Sequence, residues 1–225
     1  AVRRALLPRG ATKTMNSDAR GAAISDTVAH LASRWAQADK RILRHVFPLL
    51  AEGKPVPVTR IAEAAGVRPS SVEEALQSAR AGRDTEGRVV ELSGLMLAPT
   101  LHRVEIGDIV VFSCCALLAQ LVPALLERSV RVESVDPVSR RLVALNMGPE
   151  GVTEVEPREA VGSFIVTEPS GLSEDVGTYF CRHVNHFASP DSARTFTAAD
   201  QRRYTLGIDQ LNGAARMLYR AAWAS

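Results

Sequence analysis

The sequence predicts an α+β protein in which a winged-helix-like helical part packs on a second part of mixed helices and strands. The stretch VTRIAEAAGVRPSSVEEALQSAR reads as a helix, a turn and a second helix. Short alternating segments separated by Gly, Pro and Asp turns follow it, as in the wing of a winged helix. The chain ends in apolar residues at helical spacing. These three observations together set the predicted fold class.

The predicted elements divide the 225 residues into three parts. Residues 1–24 are basic and rich in small residues, and they lack the apolar stretch of a secretory signal, so a flexible segment is expected. Residues 25–110 form the winged-helix-like part, whose first helix is predicted to start at Ser25 and to kink or break near Pro48. Residues 111–225 form the remaining part.

The helix–turn–helix pattern has recognisable starting signals. Thr59 is expected to cap its first helix, and Ser70 or Ser71 to begin its second. The second helix would be the recognition helix of a DNA-binding protein, but it carries Glu73 and Glu74, which would repel phosphates. A scaffold or dimerisation role is therefore favoured, and no nucleic-acid partner is expected.

Three further segments complete the second part. The range 115–126 is apolar nearly all round, which predicts a buried helix bent at Pro123. GTYFCRHVNHFAS is expected to be a strand that runs into a loop. The last helix is predicted to bury one face, formed by Ile208, Leu211, Ala215, Leu218 and Ala222.

Composition limits the class of protein and its setting. Hydrophobic residues make up 46% and charged residues 23%, and the net charge of +2 is too small to indicate a nucleic-acid or membrane partner. No apolar run approaches the roughly 18 residues of a membrane span. Three cysteines cannot form a fully paired disulfide framework, so free thiols in a reducing cytoplasm are expected.

The cysteines lie in only two places, FSCCALLAQLVPALL and YFCRHVNHFAS. Each could be a small buried apolar residue. Cys181, His183 and His186 could begin a zinc site, although their spacing fits no usual zinc finger. A Cys–His nucleophile pair is a third possibility, for which no oxyanion loop or orienting partner is visible.

From about Lys40 to its end, the chain resembles the organomercurial (alkylmercury) lyases. LLAEGKPVPVTRIAEAAGV is similar to the winged-helix segment of that family, CALLAQLVPALLERSVRVES to its first catalytic segment, and FCRHVNHFAS to its second. The resemblance implies that Cys115 and Cys181 are catalytic and bind the mercury of an organomercurial, because soft thiolates suit a soft cation. Two thiolates push electron density onto the metal-bound carbon, which then takes a proton and leaves as a hydrocarbon.

The same resemblance implies the partners. The substrate would be an organomercurial or another small organic compound, and low-molecular-weight thiols would take part. No cofactor would be required, although Hg(II) or another soft metal could bind as substrate or product. The sequence leaves a monomer and a homodimer open.

Two positions depart from the family. The proton-shuttling aspartate expected three residues after the first cysteine is Leu118, which cannot move a proton, so activity is expected to be weak. Cys114 stands where the family has an aromatic residue; on a helix it would point about 100° away from Cys115, as a buried filler or an accessory thiol. His183, on the same face of a strand as Cys181, could act as the shuttle or be structural.

Three hypotheses about function follow. The first is a lyase that cleaves carbon–mercury bonds weakly. The second is a relative recruited to another reaction in small-molecule (secondary) metabolism, as a biosynthetic enzyme, or to soft-metal binding without lyase activity. The third is a metal-responsive transcription factor that uses the cysteines as its sensor.

Overall fold

The computed structural model describes residues 17–34 and 38–223 and has the predicted α+β class. Over these residues the helices are α1 (Ser17–Ser33), α2 (Lys40–Leu43), α3 (Val46–Leu50), α4 (Val58–Ala65), α5 (Pro69–Ser78), α6 (Ala116–Ala119), α7 (Val122–Leu126), α8 (Pro169–Glu174), α9 (Val176–Tyr179), α10 (Pro190–Thr197) and α11 (Ile208–Ala222). The strands are β1 (Gly82–Arg83), β2 (Val89–Leu92), β3 (Leu95–Met96), β4 (His102–Ile106), β5 (Ile109–Ser113), β6 (Val130–Val135), β7 (Leu142–Gly148), β8 (Gly151–Glu156), β9 (Val161–Ile165), β10 (His186–Phe187) and β11 (Arg203–Gly207).

The first helix starts earlier than predicted. It begins at Ser17 instead of Ser25, so only residues 1–16 of the expected flexible segment lie outside the described residues. The expected break near Pro48 is present, between α2 and α3. Pro48 itself lies in the first turn of α3, where its missing N–H costs nothing.

The predicted helix–turn–helix pair is α4 and α5, but both starting signals were misread. Their N-caps are Pro57 and Arg68, so Thr59, Ser70 and Ser71 lie inside the helices. Neither Pro57 nor Arg68 caps its helix with a side-chain hydrogen bond. The first backbone N–H groups of a helix can bond to water instead.

An eight-stranded antiparallel sheet continues the winged-helix part into the rest of the protein. Its order is β1-β2-β3-β5-β4-β6-β7-β8, and β3 pairs with β5 through Leu95 and Ser113. The predicted boundary between residues 110 and 111 falls within β5. The wing and the strand that leads to the first cysteines are therefore neighbours in one sheet, which positions the site.

A second core lies beside this sheet. The three-stranded sheet β10-β9-β11 packs with α1 and α11 around the segments that carry Cys115 and Cys181. The five apolar residues predicted for the last helix are all buried, which confirms the predicted face of α11. Within residues 17–34 and 38–223, no helix has both the length and the apolar composition to cross a membrane.

Candidate active site

The first cysteine segment lies at the end of β5. Cys115 is the N-cap of α6, with an extended backbone (φ −157°) and a fully buried side chain. The helix predicted over 115–126 is therefore wrong in two respects: it begins at Ala116, and it breaks at Gln120 before Pro123 could bend it. Because Cys115 precedes the helix, the predicted 100° offset between its side chain and that of Cys114 does not apply.

The second cysteine segment is not the predicted strand. Cys181–His183 form one turn of 3₁₀ helix between α9 and β10. The Ser163 hydroxyl of β9 donates to the carbonyl oxygen of His183 at 2.7 Å. The backbone N–H of Ala116 donates to the carbonyl oxygen of Val184 at 3.0 Å, so the two cysteine segments are joined directly.

This arrangement brings three sulfur atoms together. The Sγ atoms of Cys114, Cys115 and Cys181 all lie within 4.8 Å of one another. The Cys114 thiol donates to Cys181 Sγ at 3.2 Å. Cys115 and Cys181 are buried and Cys114 is half-buried, and all three are free thiols.

The three thiols do not ionise alike. Burial alone would raise the pKa of Cys115, but the thiols of Cys114 and Cys181 and the backbone N–H of Leu118 stabilise its thiolate, so that its pKa falls well below the ordinary value. The pKa of Cys114 is raised, because its thiol donates hydrogen bonds to the sulfurs of Cys115 and Cys181 and is buried. The pKa of Cys181 is also raised: the hydrogen bond from Cys114 lowers it, but the hydrogen bond to Cys115, burial and the negative charge of Cys115 together outweigh that effect. Cys115 is therefore the thiol that ionises first.

A cavity of about 230 Å³ opens on the thiols of Cys114 and Cys181, whereas Cys115 is fully buried and is not among the described residues that line it. Cys114, Cys181 and Leu118 line one part of it, and apolar side chains from α1, α9 and α11 line much of the rest. Among the residues that the structure describes, three charged ones also line the cavity, and sequence reasoning missed all of them: Arg34, Arg80 and Glu91. They come from three separate segments, and only the fold brings them together.

Leu118 lies in the first turn of α6 and lines the cavity. It is half-buried, and it packs with Cys114 against the bare backbone of Gly94 in the β2–β3 turn. The side chain of Leu118 is a hydrocarbon and has no proton to transfer.

His183 lies elsewhere. Successive residues of a 3₁₀ helix turn by about 120°, so a side chain two positions after Cys181 points to a different side. His183 is not among the described residues that line the cavity. Burial and the charges of Arg203 and Arg182 lower its pKa. The strand geometry that favoured His183 as the proton shuttle is therefore wrong.

A chain of buried polar side chains lies behind Cys115. Gln120 Nε2 donates to His186 Nε2 at 2.9 Å, His186 Nδ1 then donates to Ser134 Oγ at 2.8 Å, and the Ser134 hydroxyl donates to His102 Nδ1 at 2.9 Å. Burial lowers the pKa of both histidines, that of His102 to about 4, and the nearby charge of Cys115 opposes this for His102. Sequence alternation alone could have placed His102 on the inner face of β4.

Comparison with known proteins points to one family. Residues 21–93 match the family model of the helix-turn-helix domain of alkylmercury lyase, and residues 95–220 match that of alkylmercury lyase. The alkylmercury lyase of Streptomyces lividans is 37% identical over 184 residues, which is 80% of this chain and 82% of that protein. The alkylmercury lyase of Staphylococcus epidermidis is 36% identical over 176 residues, which is 76% of this chain and 80% of that protein. The crystal structure of the mercury-bound form of MerB2 shares the fold, with a TM-score of 0.72 and 15% identity over 88% of this chain and 99% of that chain.

Proposed function

Because the chain belongs to the alkylmercury lyase family, we propose that it binds organomercurials through Cys115 and Cys181 and cleaves their carbon–mercury bond slowly. The family membership confirms the resemblance read from the sequence. The observation that carries the proposal is that the sulfurs of Cys115 and Cys181 lie within 4.8 Å of each other. Two thiolate bonds of about 2.3 Å in a line span about 4.6 Å, so one mercury ion can bind both sulfurs.

The reaction begins at Cys115, whose lowered pKa makes it the first thiolate and whose sulfur lies within 4.8 Å of Cys181 on the cavity wall. Its thiolate attacks the mercury of R–Hg–X and displaces X⁻. The thiol of Cys181 then binds the same mercury and gives up its proton to the carbon. The electron pair of the carbon–mercury bond becomes the new carbon–hydrogen bond, R–H leaves, and Hg(II) stays on two thiolates until small thiols exchange it out.

The proton transfer is the slow step in this scheme. Leu118 lines the cavity beside the thiols and cannot transfer a proton. The raised pKa of Cys181 makes its thiol a weak acid when it must donate directly. Since a positioned acid–base group contributes roughly 10²–10⁴-fold in rate, cleavage is expected to be slower by about that factor than with a carboxylate.

The cavity also indicates which organic groups fit. Its apolar wall, which includes Leu31, Phe180 and Leu218, suits a hydrocarbon or aromatic group on the mercury. Arg34 and Arg80 line the same cavity and would favour an organic group that carries a carboxylate.

A second candidate function is soft-metal binding without turnover, and Leu118 is the observation that favours it. Coordination by two thiolates does not need an acid–base group, whereas cleavage does. A recruited biosynthetic reaction, a cytoplasmic location and the absence of a nucleic-acid partner stay predictions from the sequence.

An assay with phenylmercury distinguishes slow cleavage from binding without turnover. The reduced protein is incubated with phenylmercury acetate and excess small thiol, bound mercury is measured after gel filtration, and benzene is measured by gas chromatography. We expect one tightly bound mercurial per chain and slow benzene release, with both lost in Cys115→Ser and Cys181→Ser. Binding without benzene would select the second candidate, and failure to bind phenylmercury would contradict both.

A further inference from the structure

Carbon–mercury cleavage needs two thiols, and this site has three. Cys114 is the additional one, and its sulfur lies 3.2 Å from that of Cys181. Its position is fixed by backbone on both sides, because its N–H donates to the carbonyl oxygen of Gly94 at 2.9 Å and the next residue, Cys115, begins the α6 cap. Its side chain lines the cavity, so a small solute can reach it.

The sulfur spacing indicates a particular coordination geometry. With metal–sulfur bonds of about 2.3 Å, a linear arrangement separates two sulfurs by about 4.6 Å, whereas a three-sulfur pyramid with angles of about 95° separates them by about 3.4 Å. The 3.2 Å between the Sγ atoms of Cys114 and Cys181 fits pyramidal coordination by three sulfurs and does not fit linear coordination by two. All three sulfurs lie within 4.8 Å, so small side-chain rotations bring the third to the same ion.

The donor atoms and their surroundings restrict the ion further. Among the residues that the structure describes, this cluster contains thiols only, which favours a soft ion. Two of the thiols are buried in an apolar core, where a complex without net charge costs least. Three thiolates neutralise a trivalent ion, whereas on a divalent ion they leave a buried negative charge.

We propose that Cys114, Cys115 and Cys181 form a three-thiol site for a trivalent, pyramidal soft ion, the class represented by As(III) and Sb(III). Arsenous acid, As(OH)₃, is small and uncharged and can enter the cavity. Each thiol replaces one hydroxyl: three S–H and three As–O bonds break, three As–S bonds form, and three waters leave, with no oxidation or reduction. The site shares Cys115 and Cys181 with the proposed function but rests on Cys114, which cleavage does not use.

Two arsenicals with different numbers of exchangeable positions test this site. Arsenite can bind three thiols, whereas phenylarsine oxide can bind only two. We expect the reduced wild type to bind one arsenite, with all three thiols protected from a thiol reagent. Cys114→Ser should weaken arsenite binding by more than the roughly 10–100-fold that loss of an outer partner costs, while phenylarsine oxide binding changes little. Met217→Leu, at an exposed position of α11 that is not among the described residues lining the cavity, is the control and should bind both as the wild type does.

X-ray absorption of the wild-type complex gives a readout that needs no variant. Three As–S contacts support the site, and two As–S contacts with one As–O contact overturn it even if Cys114→Ser does not fold. Unchanged arsenite affinity in folded Cys114→Ser also overturns it. If the protein binds phenylmercury tightly but does not bind arsenite, the three-thiol site is rejected and the proposed function stands. If it binds arsenite but not phenylmercury, only the proposed function is rejected.

Discussion

The carbonyl oxygen of Gly94 accepts a 2.9 Å hydrogen bond from the backbone N–H of Cys114. Gly94 has φ +85°, and a side chain there would come within 2.8 Å of Cys114 Sγ and would also run into Leu118. The β2–β3 turn thus forms one wall of the thiol site with bare backbone. Glycine is required both by the backbone conformation and by the space.

Gly94→Ala should therefore damage the fold and the site together. We expect a loss of about 1–3 kcal/mol in the free energy of unfolding from the positive φ, and weaker arsenite binding because Cys114 Sγ is displaced. Gly87→Ala is the matched control: Gly87 has φ +78° but no atom within 4 Å of the added methyl group. It should lose only the stability that the positive φ costs, as measured by urea unfolding, and keep the wild-type arsenite affinity. Equal affinities in the two variants would show that Gly94 does not position Cys114.

Glu91, on the same wall of the cavity, makes the free energy of unfolding depend on pH. Its carboxylate accepts hydrogen bonds from the backbone N–H groups of Gly94 at 2.9 Å and Gly82 at 3.2 Å. Burial nevertheless raises its pKa above the ordinary 4.5. The folded protein therefore holds this proton more tightly than the unfolded chain, and the contribution of Glu91 to stability falls as pH rises from about 4.5 through the raised pKa.

Glu91→Gln should remove that decline, because an amide does not ionise and can still accept from Gly94. We expect the free energy of unfolding of the variant, relative to the wild type, to increase between pH 4 and pH 7. Urea unfolding at several pH values across this range measures the difference. Parallel curves for the two proteins would show that burial does not penalise the Glu91 carboxylate.

The parts of the fold that were predicted correctly are those with a regular local pattern. In β6, alternate residues Val130, Val132 and Ser134 are buried, and this period identifies a strand without knowledge of its neighbours. The conformation of the segment at Cys181, by contrast, is not determined by its own sequence pattern. Its 3₁₀ turn depends on the hydroxyl of Ser163 and on Ala116, which are distant in sequence, so local alternation predicted a strand there.

The predictions for the candidate site also divide into those that a local pattern supports and those that depend on the fold. The resemblance implied that Cys115 and Cys181 act together, and their sulfurs do lie within 4.8 Å of each other, but the nearness of Cys114 could not be predicted while Cys115 was assigned to a helix. An extended N-cap residue changes the direction of its side chain, and one misplaced helix start altered the predicted site. Glu91 reaches the cavity through the pairing of β2, β3 and β5, which sequence alone does not fix.

Acid should destabilise the protein through His102. Burial lowers its pKa from 6.5 to about 4. A base with a lowered folded-state pKa contributes its full stability above pH 6.5 and loses it as pH falls toward 4. At about 1.4 kcal/mol per pKa unit, the full loss, which is complete only below pH 4, is about 3.5 kcal/mol.

His102→Gln tests this linkage, since glutamine cannot ionise but can accept from the Ser134 hydroxyl. We expect the wild type to lose about 3 kcal/mol more than the variant between pH 7 and pH 4 in urea unfolding. Ser134→Ala is the control for the lost hydrogen bonds, and it should lower stability at both pH values while keeping the dependence on pH. If the wild type and His102→Gln lose stability equally, His102 is not the group that titrates.

Leu118 offers the most direct change of activity. It lines the cavity beside Cys114 and Cys181, so an aspartate at this position would reach the carbon of a mercurial bound by the thiols. A positioned carboxyl group can take the thiol proton and return it to that carbon. Asparagine has nearly the same shape and polarity as aspartate but no ionisable proton, so Leu118→Asn is the matched control.

We therefore expect Leu118→Asp to release benzene from phenylmercury roughly 10²–10⁴-fold faster than the wild type, with phenylmercury affinity little changed. Leu118→Asn should gain nothing. Placing a polar group at this half-buried position costs about 1–3 kcal/mol where no partner is found, so circular dichroism and urea unfolding must first show that both variants are folded. Equal rates for the two folded variants would mean that the missing carboxylate is not what limits cleavage. The rate would then be limited by the thiols themselves, because Cys181, whose pKa is raised, must still give up its proton to the carbon.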